Sequence, residues 1–257
     1  MMNKLYKFFL LIQTIVNFPI ALLDKLGLLQ GEIIYSIRNK NLRFIARAKT
    51  EDIAEIVVVS SGYEYNLKNI KLPIKPIIID LGAQIGTFSI SIATLLKDKC
   101  KIYAFEPDTR NYSLFLRNIA LNKICCVIPI NIAISDFVGK GYLETKKINT
   151  DAYHLDAKKR KVTNCTITTL PVAMHKHRIK KIDLLKMDVE GAEYNIFSHK
   201  KSLDFIKKSV HYIFMEYHDI NSKLNYSLIK DTIEKNFFIL NKRGNILTLE
   251  NKNWNKD

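Results

Sequence analysis

The segment PIIIDLGAQIG, residues Pro76–Gly86, decides the fold. Its three consecutive isoleucines, residues 77–79, predict a buried strand, because both faces are apolar and β-branched side chains are restricted in a helix. Asp80 ends the strand, and Gly82 and Gly86 form a D-x-G-x-x-x-G turn before a predicted helix. A strand, a glycine turn and a helix in this order are typical of Rossmann-type sheets, where the turn lets backbone approach a nucleotide cofactor closely.

Further apolar segments predict the other strands of the same sheet. These strands are predicted over residues 101–105, 125–134, 182–187 and 210–215, with a C-terminal hairpin over 237–240 and 246–249. The irregular, basic segment 139–160 predicts an insertion or hairpin over the sheet edge, followed by one more strand over 162–170. Together these segments predict an α/β fold, in which a mostly parallel sheet carries helices on both faces and ends in an antiparallel hairpin.

Acidic residues follow the predicted strands. Glu106 lies 20 residues after Gly86 at the end of the second strand, where a carboxylate can accept hydrogen bonds from both ribose hydroxyls of an adenosine cofactor. The pair Ser135–Asp136 follows the third strand, where it is expected to meet the adenine edge. In an open parallel sheet, ligands bind outside the carboxyl ends of the strands. One crevice is therefore expected to collect five carboxylates, those of Asp80, Glu106, Asp136, Asp188 and Glu216.

The segment IDLLKMDVEGAE, residues 182–193, is the second informative part of the chain. Asp188 and Glu190 come directly after a predicted strand, and Lys186 lies within it, where a buried ammonium group is costly unless it is paired. After the next strand, Glu216 and His218 are expected to point to the same side if the extended conformation continues. These residues predict a polar site beside the cofactor.

The composition leaves several kinds of partner open. A net charge of +15 is compatible with nucleic acid, an anionic membrane surface or phosphorylated substrates. The lysines are spread along the chain, and no aromatic residues interleave the densest runs, so a solvated basic surface is expected and nucleic acid is not predicted as a partner. The four cysteines lack C-x-x-C pairs, which favours reduced thiols and a cytoplasmic protein.

Residues 4–29 are strongly apolar after Lys4 and Lys7 at their start. The uninterrupted part, residues 8–23, is short for a membrane span and contains Gln13, Asn17 and Pro19. We expect a helix that packs on the catalytic domain or makes peripheral contact with a membrane surface. The chain is accordingly divided into an N-terminal helical, apolar extension over residues 1–70 and a cofactor-binding domain over residues 71–257.

The motifs resemble, in order, those of FkbM-type S-adenosylmethionine-dependent methyltransferases. The matching segments are DLGAQIG from Asp80, FEP ending at Pro107, RNIALN from Arg117, NIAISD ending at Asp136, IDLLKMDVEGAE and EYH. The resemblance spans roughly residues 47–249 and implies a Rossmann-like class I methyltransferase fold. It also implies O-methylation, in many members of a sugar or polyketide-type hydroxyl. Gln84 stands where the family usually has asparagine, and Pro171 stands where an aspartate is common.

The candidate site residues, taken from the strand ends and the glycine turn, form two groups. The cofactor, S-adenosylmethionine, is expected to contact Asp80, Gly82, Gln84, Gly86, Glu106, Ser135 and Asp136. The catalytic group is expected to be His218 as the base, Asp188 or Glu216 to orient it, and Lys186 to balance the carboxylates. In a second interpretation Asp188, Glu216 and His218 hold a divalent metal ion that acidifies the hydroxyl.

The main hypothesis is an O-methyltransferase whose acceptor is a sugar, a glycan or a related small metabolite. One alternative is an RNA 2′-O-methyltransferase, since Lys186, Asp188 and Glu216 could also support that reaction. Base amino-group methylation is disfavoured, because residues 188–191 read D-V-E-G rather than [DN]-P-P-[YF]. A third alternative is a membrane-associated, noncatalytic binding module, against which the intact glycine turn argues. The acceptor and the oligomeric state have no signal in the sequence.

Overall fold

The computed structural model describes residues 4–65, 67–145, 153–156, 163–218 and 226–254. The N-terminal part consists of α1 Lys4–Thr14, α2 Phe18–Lys25, β1 Glu32–Ser36, β2 Arg43–Arg47 and α3 Asp52–Ser60. The next elements are β3 Ile77–Leu81, α4 Thr87–Leu95, β4 Lys101–Phe105, α5 Thr109–Asn122, β5 Val127–Ile130, β6 Ala133–Ser135, β7 Gly139–Thr145, β8 Tyr153–Asp156 and β9 Thr163–Thr169. The last elements are α6 Leu170–Lys176, β10 Ile182–Met187, α7 Ala192–Ser198, α8 Lys200–Ser209, β11 Val210–Glu216, α9 Ser227–Asn236, β12 Phe237–Arg243 and β13 Ile246–Asn251.

The main sheet has the order β12-β13-β11-β10-β3-β4-β5. The strands from β11 to β5 are parallel, and β13 runs antiparallel to both β11 and β12. The prediction of a mostly parallel sheet that ends in an antiparallel hairpin is therefore confirmed. Consecutive residues of β3 serve opposite faces, because Ile78 and Ile79 are both fully buried but belong to different hydrophobic clusters. Each face of the sheet is thus covered.

The third predicted strand, residues 125–134, is wrong as a single element. The chain forms β5 in the main sheet and then β6, which pairs with β9 in a separate sheet of order β6-β9-β7-β8. Between them the side-chain amide of Asn131 donates to the carbonyl oxygens of Glu106 and Pro107, at 2.8 and 3.1 Å. These bonds hold the turn that separates the two strands. The predicted hairpin over 139–160 is present as β7 and β8, and its remaining residues, 146–152 and 157–160, lie outside the described residues.

The N-terminal elements pack against the sheet. Leu11 of α1 and Ile15, which follows α1, are buried in the same hydrophobic cluster as Ile78 of β3. Burying one side chain of this size contributes about 1.5–3 kcal/mol, so the contact is a substantial part of the core. Within the described ranges, no helix combines the length and apolar character that crossing a membrane requires. The boundary at residue 70 stays a prediction.

The motif RNIALN binds the N-terminal hairpin to the glycine turn. Asn118 accepts a hydrogen bond from the Ile45 backbone N–H at 2.7 Å, and its amide donates to the carbonyls of Ile45 and Ile85 at 3.1 and 3.0 Å. Asn122 bonds both backbone groups of Arg43, at 2.9 and 2.6 Å. The polar residues of this motif therefore position β2 on α5.

Candidate active site

The glycine turn has a left-handed backbone at three alternate positions. Gly82, Gln84 and Gly86 have φ values of 79°, 51° and 88°. A Cβ atom on Gly82 would overlap the carbonyl oxygen of Asp188, and one on Gly86 would overlap the ring of Phe115. The two glycines are thus required by space as well as by backbone conformation.

Glu106 lies at the end of β4 beside this turn. Its carboxylate accepts hydrogen bonds from the backbone N–H groups of Gln84 and Asp108, both at 2.8 Å. The residue is only 4% exposed, and burial raises the pKa of its carboxyl to about 7. Nearby, the buried Oδ1 atom of Asn111 has no hydrogen-bond partner among the described residues. The pair offers two fixed polar groups to a ligand.

Lys186 is the buried cation at the centre of the sheet. Its ammonium donates to the carbonyl oxygen of Gly82 at 2.7 Å and lies 3.5 and 3.4 Å from carboxylate oxygens of Asp80 and Asp188. Burial acts to lower the pKa of Lys186, but the two carboxylates outweigh it and hold the pKa above its usual value. Asp80 is fully buried and also accepts a 2.7 Å hydrogen bond from Ser89. The expected pairing of Lys186 is thus present, and it ties β3 to β10.

His218 follows β11 and is fixed by Glu193 of α7. The buried Glu193 carboxylate accepts from the His218 backbone N–H at 2.7 Å and lies 3.1 Å from the ring Nδ1 atom. The sequence pattern predicted that Asp188 or Glu216 would orient the ring. Their carboxylates instead lie near the other ring nitrogen, Nε2, at 3.8 and 3.9 Å. The orienting bond comes instead from Glu193, which lies in the first turn of α7.

Several further acids surround His218. Glu190 lies 3.8 Å from its Nε2 atom. Burial raises the pKa values of Glu64 and Glu190 to about 8. For His218, burial acts to lower the pKa, but the Glu193 hydrogen bond and the Asp188 and Glu190 charges raise it to about 10. The region therefore favours cations: a protonated imidazole, a sulfonium or a metal ion.

A cavity of about 360 Å³ joins these groups, a size typical of small-molecule sites. Six of the predicted site residues line it: Gly82, Gln84, Glu106, Asp188, Glu216 and His218. The other five are not among its described lining residues: Asp80, Gly86, Ser135, Asp136 and Lys186. Ser135 is buried and donates to Asp136 at 3.0 Å, while Ile132, Ala133 and Ile134 form the wall at that point. Direct cofactor contact by Ser135 and Asp136 stays a prediction.

Some functional groups had little signal in the sequence. Asn245, in the hairpin turn, donates to the Glu216 carboxylate at 2.7 Å and fixes it. Lys7 and Lys25, from the N-terminal helices, also line the cavity. Glu193 was visible as an acid in the first turn after a glycine, but its partner lies 25 residues further along the chain. These roles depend on contacts between distant segments.

A parallel sheet with this reversed hairpin and a cavity at the strand carboxyl ends defines a Rossmann-like methyltransferase. The family described as "Methyltransferase FkbM domain" matches residues 80–246, and the chain belongs to it. Methyltransferase sdnD of Sordaria araneosa is 26% identical over 192 residues, which are 62% of this chain and 73% of that protein.

A solved methyltransferase has a similar fold. The crystal structure of the methyltransferase FkbM from Methylobacillus flagellatus KT superimposes with a TM-score of 0.51 at 12% identity. The match covers 77% of this chain and 53% of that one, so the chain spans about half the length of that protein.

The residues present fit S-adenosylmethionine, the cofactor of this fold. Gly82 lets the turn pack against the backbone of Asp188 at the cavity wall, Glu106 presents a carboxylate, and Asn111 presents an unsatisfied buried oxygen. Asp188, which also lines the cavity, provides negative charge that suits a sulfonium. These residues are therefore the candidates for holding the cofactor.

Proposed function

We propose that the protein is an S-adenosylmethionine-dependent O-methyltransferase that acts on a hydroxyl of a sugar, a glycan or a related small metabolite. The observation that supports it is that His218, held by the buried Glu193, lines the same cavity as Glu106 and the glycine turn. S-adenosylmethionine, when bound, supplies an activated methyl group. The protein then has to align an acceptor oxygen and remove its proton.

His218 is proposed to accept that proton at its Nε2 atom. Glu193 lies beside Nδ1 and holds a proton there, which leaves Nε2 to face the cavity. The surrounding carboxylates keep His218 protonated in the ligand-free protein. A positive charge bound among the same carboxylates lowers the pKa of His218, so that the ring becomes competent as a base. Lys186 fixes Asp188 throughout.

The test of this role is His218→Asn, with His175→Asn as the matched control on an exposed residue. Removing a general base reduces turnover by about 10²–10⁴-fold. We expect this loss in His218→Asn, with affinity for S-adenosylhomocysteine by titration calorimetry changed less than about threefold. His175→Asn should match the unaltered protein in both. Retained turnover in His218→Asn would exclude it as the base.

A metal-assisted form of the same reaction is the second candidate. Asp188, Glu190 and His218 each offer a ligand atom, and these atoms lie within 4.8 Å of one another. Glu216, which the sequence pattern placed in this group, is instead bonded to Asn245. A divalent ion here would acidify the hydroxyl directly. Dialysis against EDTA distinguishes the routes: activity lost and restored by Mg²⁺ or Mn²⁺ supports the metal, and unchanged activity supports the base alone.

The choice of acceptor class needs a separate experiment. Purified protein with labelled S-adenosylmethionine is offered glycan, lipid-linked sugar and RNA pools in parallel. Label in a sugar-containing pool supports the proposal. Label in RNA, with binding that weakens steeply as salt is added, would support the RNA 2′-O-methyltransferase alternative instead.

A further inference from the structure

The outer side of the two N-terminal helices is apolar and exposed. Their inner side, including Leu11 and Ala21, is buried in the core. On these helices and in the residues next to them, nine large apolar side chains are more than 40% exposed: Leu5, Tyr6, Phe8, Phe9, Val16, Ile20, Leu23, Leu26 and Leu28. They all fall within residues 5–28, and the two helices contact each other. Monomeric soluble proteins rarely leave so many such side chains together in water, which marks this outer face as a docking surface.

The charge around the outer face identifies its occupant. Residues 1–29 contain the basic residues Lys4, Lys7 and Lys25 and a single acid, Asp24. Asp24 is buried, where it accepts hydrogen bonds from the Tyr35 hydroxyl and the Lys49 backbone N–H, both at 2.8 Å. Its charge is therefore turned inward, whereas Lys7 and Lys25, which border the cavity, are exposed close to the apolar side chains. That combination is the pattern of helices that lie in the interface of an anionic membrane.

The same helices also form part of the active-site cavity. Lys7 and Leu10 of α1 and Lys25 of α2 line it. Burial and the neighbouring Lys7 lower the pKa of Lys25, so the two ammonium groups lie close enough to repel each other. Such a pair suits an anionic group brought to the cavity. The docking face and the cavity wall are thus two sides of one pair of helices.

We propose that the outer face of α1 and α2 docks on an anionic lipid bilayer and that the cavity takes its acceptor hydroxyl from the headgroup of a lipid in that bilayer. Docking requires only the helix pair, whereas the acceptor part rests on the proposed O-methyltransferase function. Lys7 and Lys25 attract the anionic part of the headgroup. The hydroxyl then reaches His218 and Asp188 in the same cavity.

Docking is tested by cosedimentation with vesicles of equal parts phosphatidylcholine and phosphatidylglycerol, against vesicles of phosphatidylcholine alone. The test variant is Phe9→Glu with Leu26→Glu, which are 58% and 64% exposed. The matched control is Ile74→Glu with Leu228→Glu, which are 86% and 55% exposed and add the same charge elsewhere. We expect the test pair to weaken binding to the anionic vesicles by about tenfold or more, and the control pair by less than about twofold.

Two results would overturn docking: equal vesicle binding by the test pair and the control pair, or no binding of the unaltered protein to the anionic vesicles. A dimer of the unaltered protein that the test pair dissociates, seen by sedimentation velocity, would assign the face to a second copy. All variants are titrated with S-adenosylhomocysteine. Absence of cofactor binding by the unaltered protein would defeat the proposed function and leave the vesicle result to decide docking by itself.

The acceptor part is tested with labelled S-adenosylmethionine and membranes from the source cells. Label that partitions into organic solvent, and that falls with the test pair but not with the control pair, supports a lipid acceptor. Label confined to water-soluble glycans overturns this part.

Discussion

Cofactor affinity should depend on pH through Glu106. A pKa of about 7 means that about one tenth of the Glu106 groups are ionised near pH 6 and about nine tenths near pH 8. If ribose hydroxyls bind only to the carboxylate, affinity for S-adenosylhomocysteine rises about tenfold over this range, or about 1.4 kcal/mol. The amide of Glu106→Gln cannot titrate. We therefore expect this variant to bind S-adenosylhomocysteine more weakly than the unaltered protein near pH 8, and its affinity to lack the roughly tenfold rise between pH 6 and pH 8 that Glu106 contributes.

The assay is titration calorimetry at several pH values for both proteins. Glu64 and Glu190, whose pKa values are about 8, also ionise in this range and attract the ligand's charge, so the difference between the two profiles isolates Glu106. The exposed Asp204→Asn serves as a control and should reproduce the unaltered profile. Parallel profiles for Glu106→Gln and the unaltered protein would refute the assignment.

The free energy of unfolding should change in the opposite direction. The folded-state pKa of Glu106 is raised from its ordinary value of 4.5 to about 7, so the folded protein favours the protonated acid. Its contribution to stability is fully present below about pH 4.5 and is lost as the pH rises through about 7. The shift corresponds to about 3 kcal/mol. Glu64 and Glu190 also lose stability over this range, so in urea unfolding the decline of Glu106→Gln should be smaller than that of the unaltered protein by about this amount.

Two further predictions concern the turn and the hairpin. Gly82→Ala should abolish cofactor binding and lower the free energy of unfolding by well over the about 1 kcal/mol expected for Gly244→Ala, because both glycines have positive φ but only Gly82 lacks space for a Cβ atom. Titration calorimetry measures the binding and urea unfolding measures the stability. Equal losses of stability in the two variants would contradict the steric argument. Asn118→Ala should lower the free energy of unfolding by about 2–3 kcal/mol, because three backbone groups lose their hydrogen-bond partner. Arg117→Ala breaks only an exposed ion pair with Glu32 and should leave the urea midpoint nearly unchanged. Similar midpoints for the two variants would show that the buried Asn118 amide contributes no more than the exposed ion pair.

Much of the fold could be predicted from local signals. Ile78 and Ile79 before Asp80 are buried on opposite faces of the sheet, while Ile77 is half-buried, and the strand over 182–187 ends where its apolar pattern ends. The break between β5 and β6 could not be found in this way, since residues 127–134 are almost continuously apolar. Pro129 was the available clue, because proline is confined to edge strands, and β5 is the edge of the main sheet.

The sequence predicted those site residues that lie directly after the strands of the main sheet. Glu106, Asp188 and His218 were expected at the carboxyl edge, and all three line the cavity. The partner of His218 was not predictable, because Glu193 reaches it only through the path of α7. The contribution of the N-terminal helices to the cavity wall also lacked a signal, since it depends on how a separate segment packs on the sheet.

The hydrogen bonds of Asn118 have a consequence for how the chain folds. One side chain bonds Ile45 in the N-terminal hairpin and Ile85 in the cofactor turn. The hairpin is therefore coupled to the turn through this side chain, and local unfolding of the hairpin exposes Asn118. A ligand that orders the turn also stabilises the hairpin. By thermodynamic linkage, an ordered hairpin strengthens binding of that ligand by the same free energy. Hydrogen exchange at Ile45 should accordingly slow when S-adenosylhomocysteine binds.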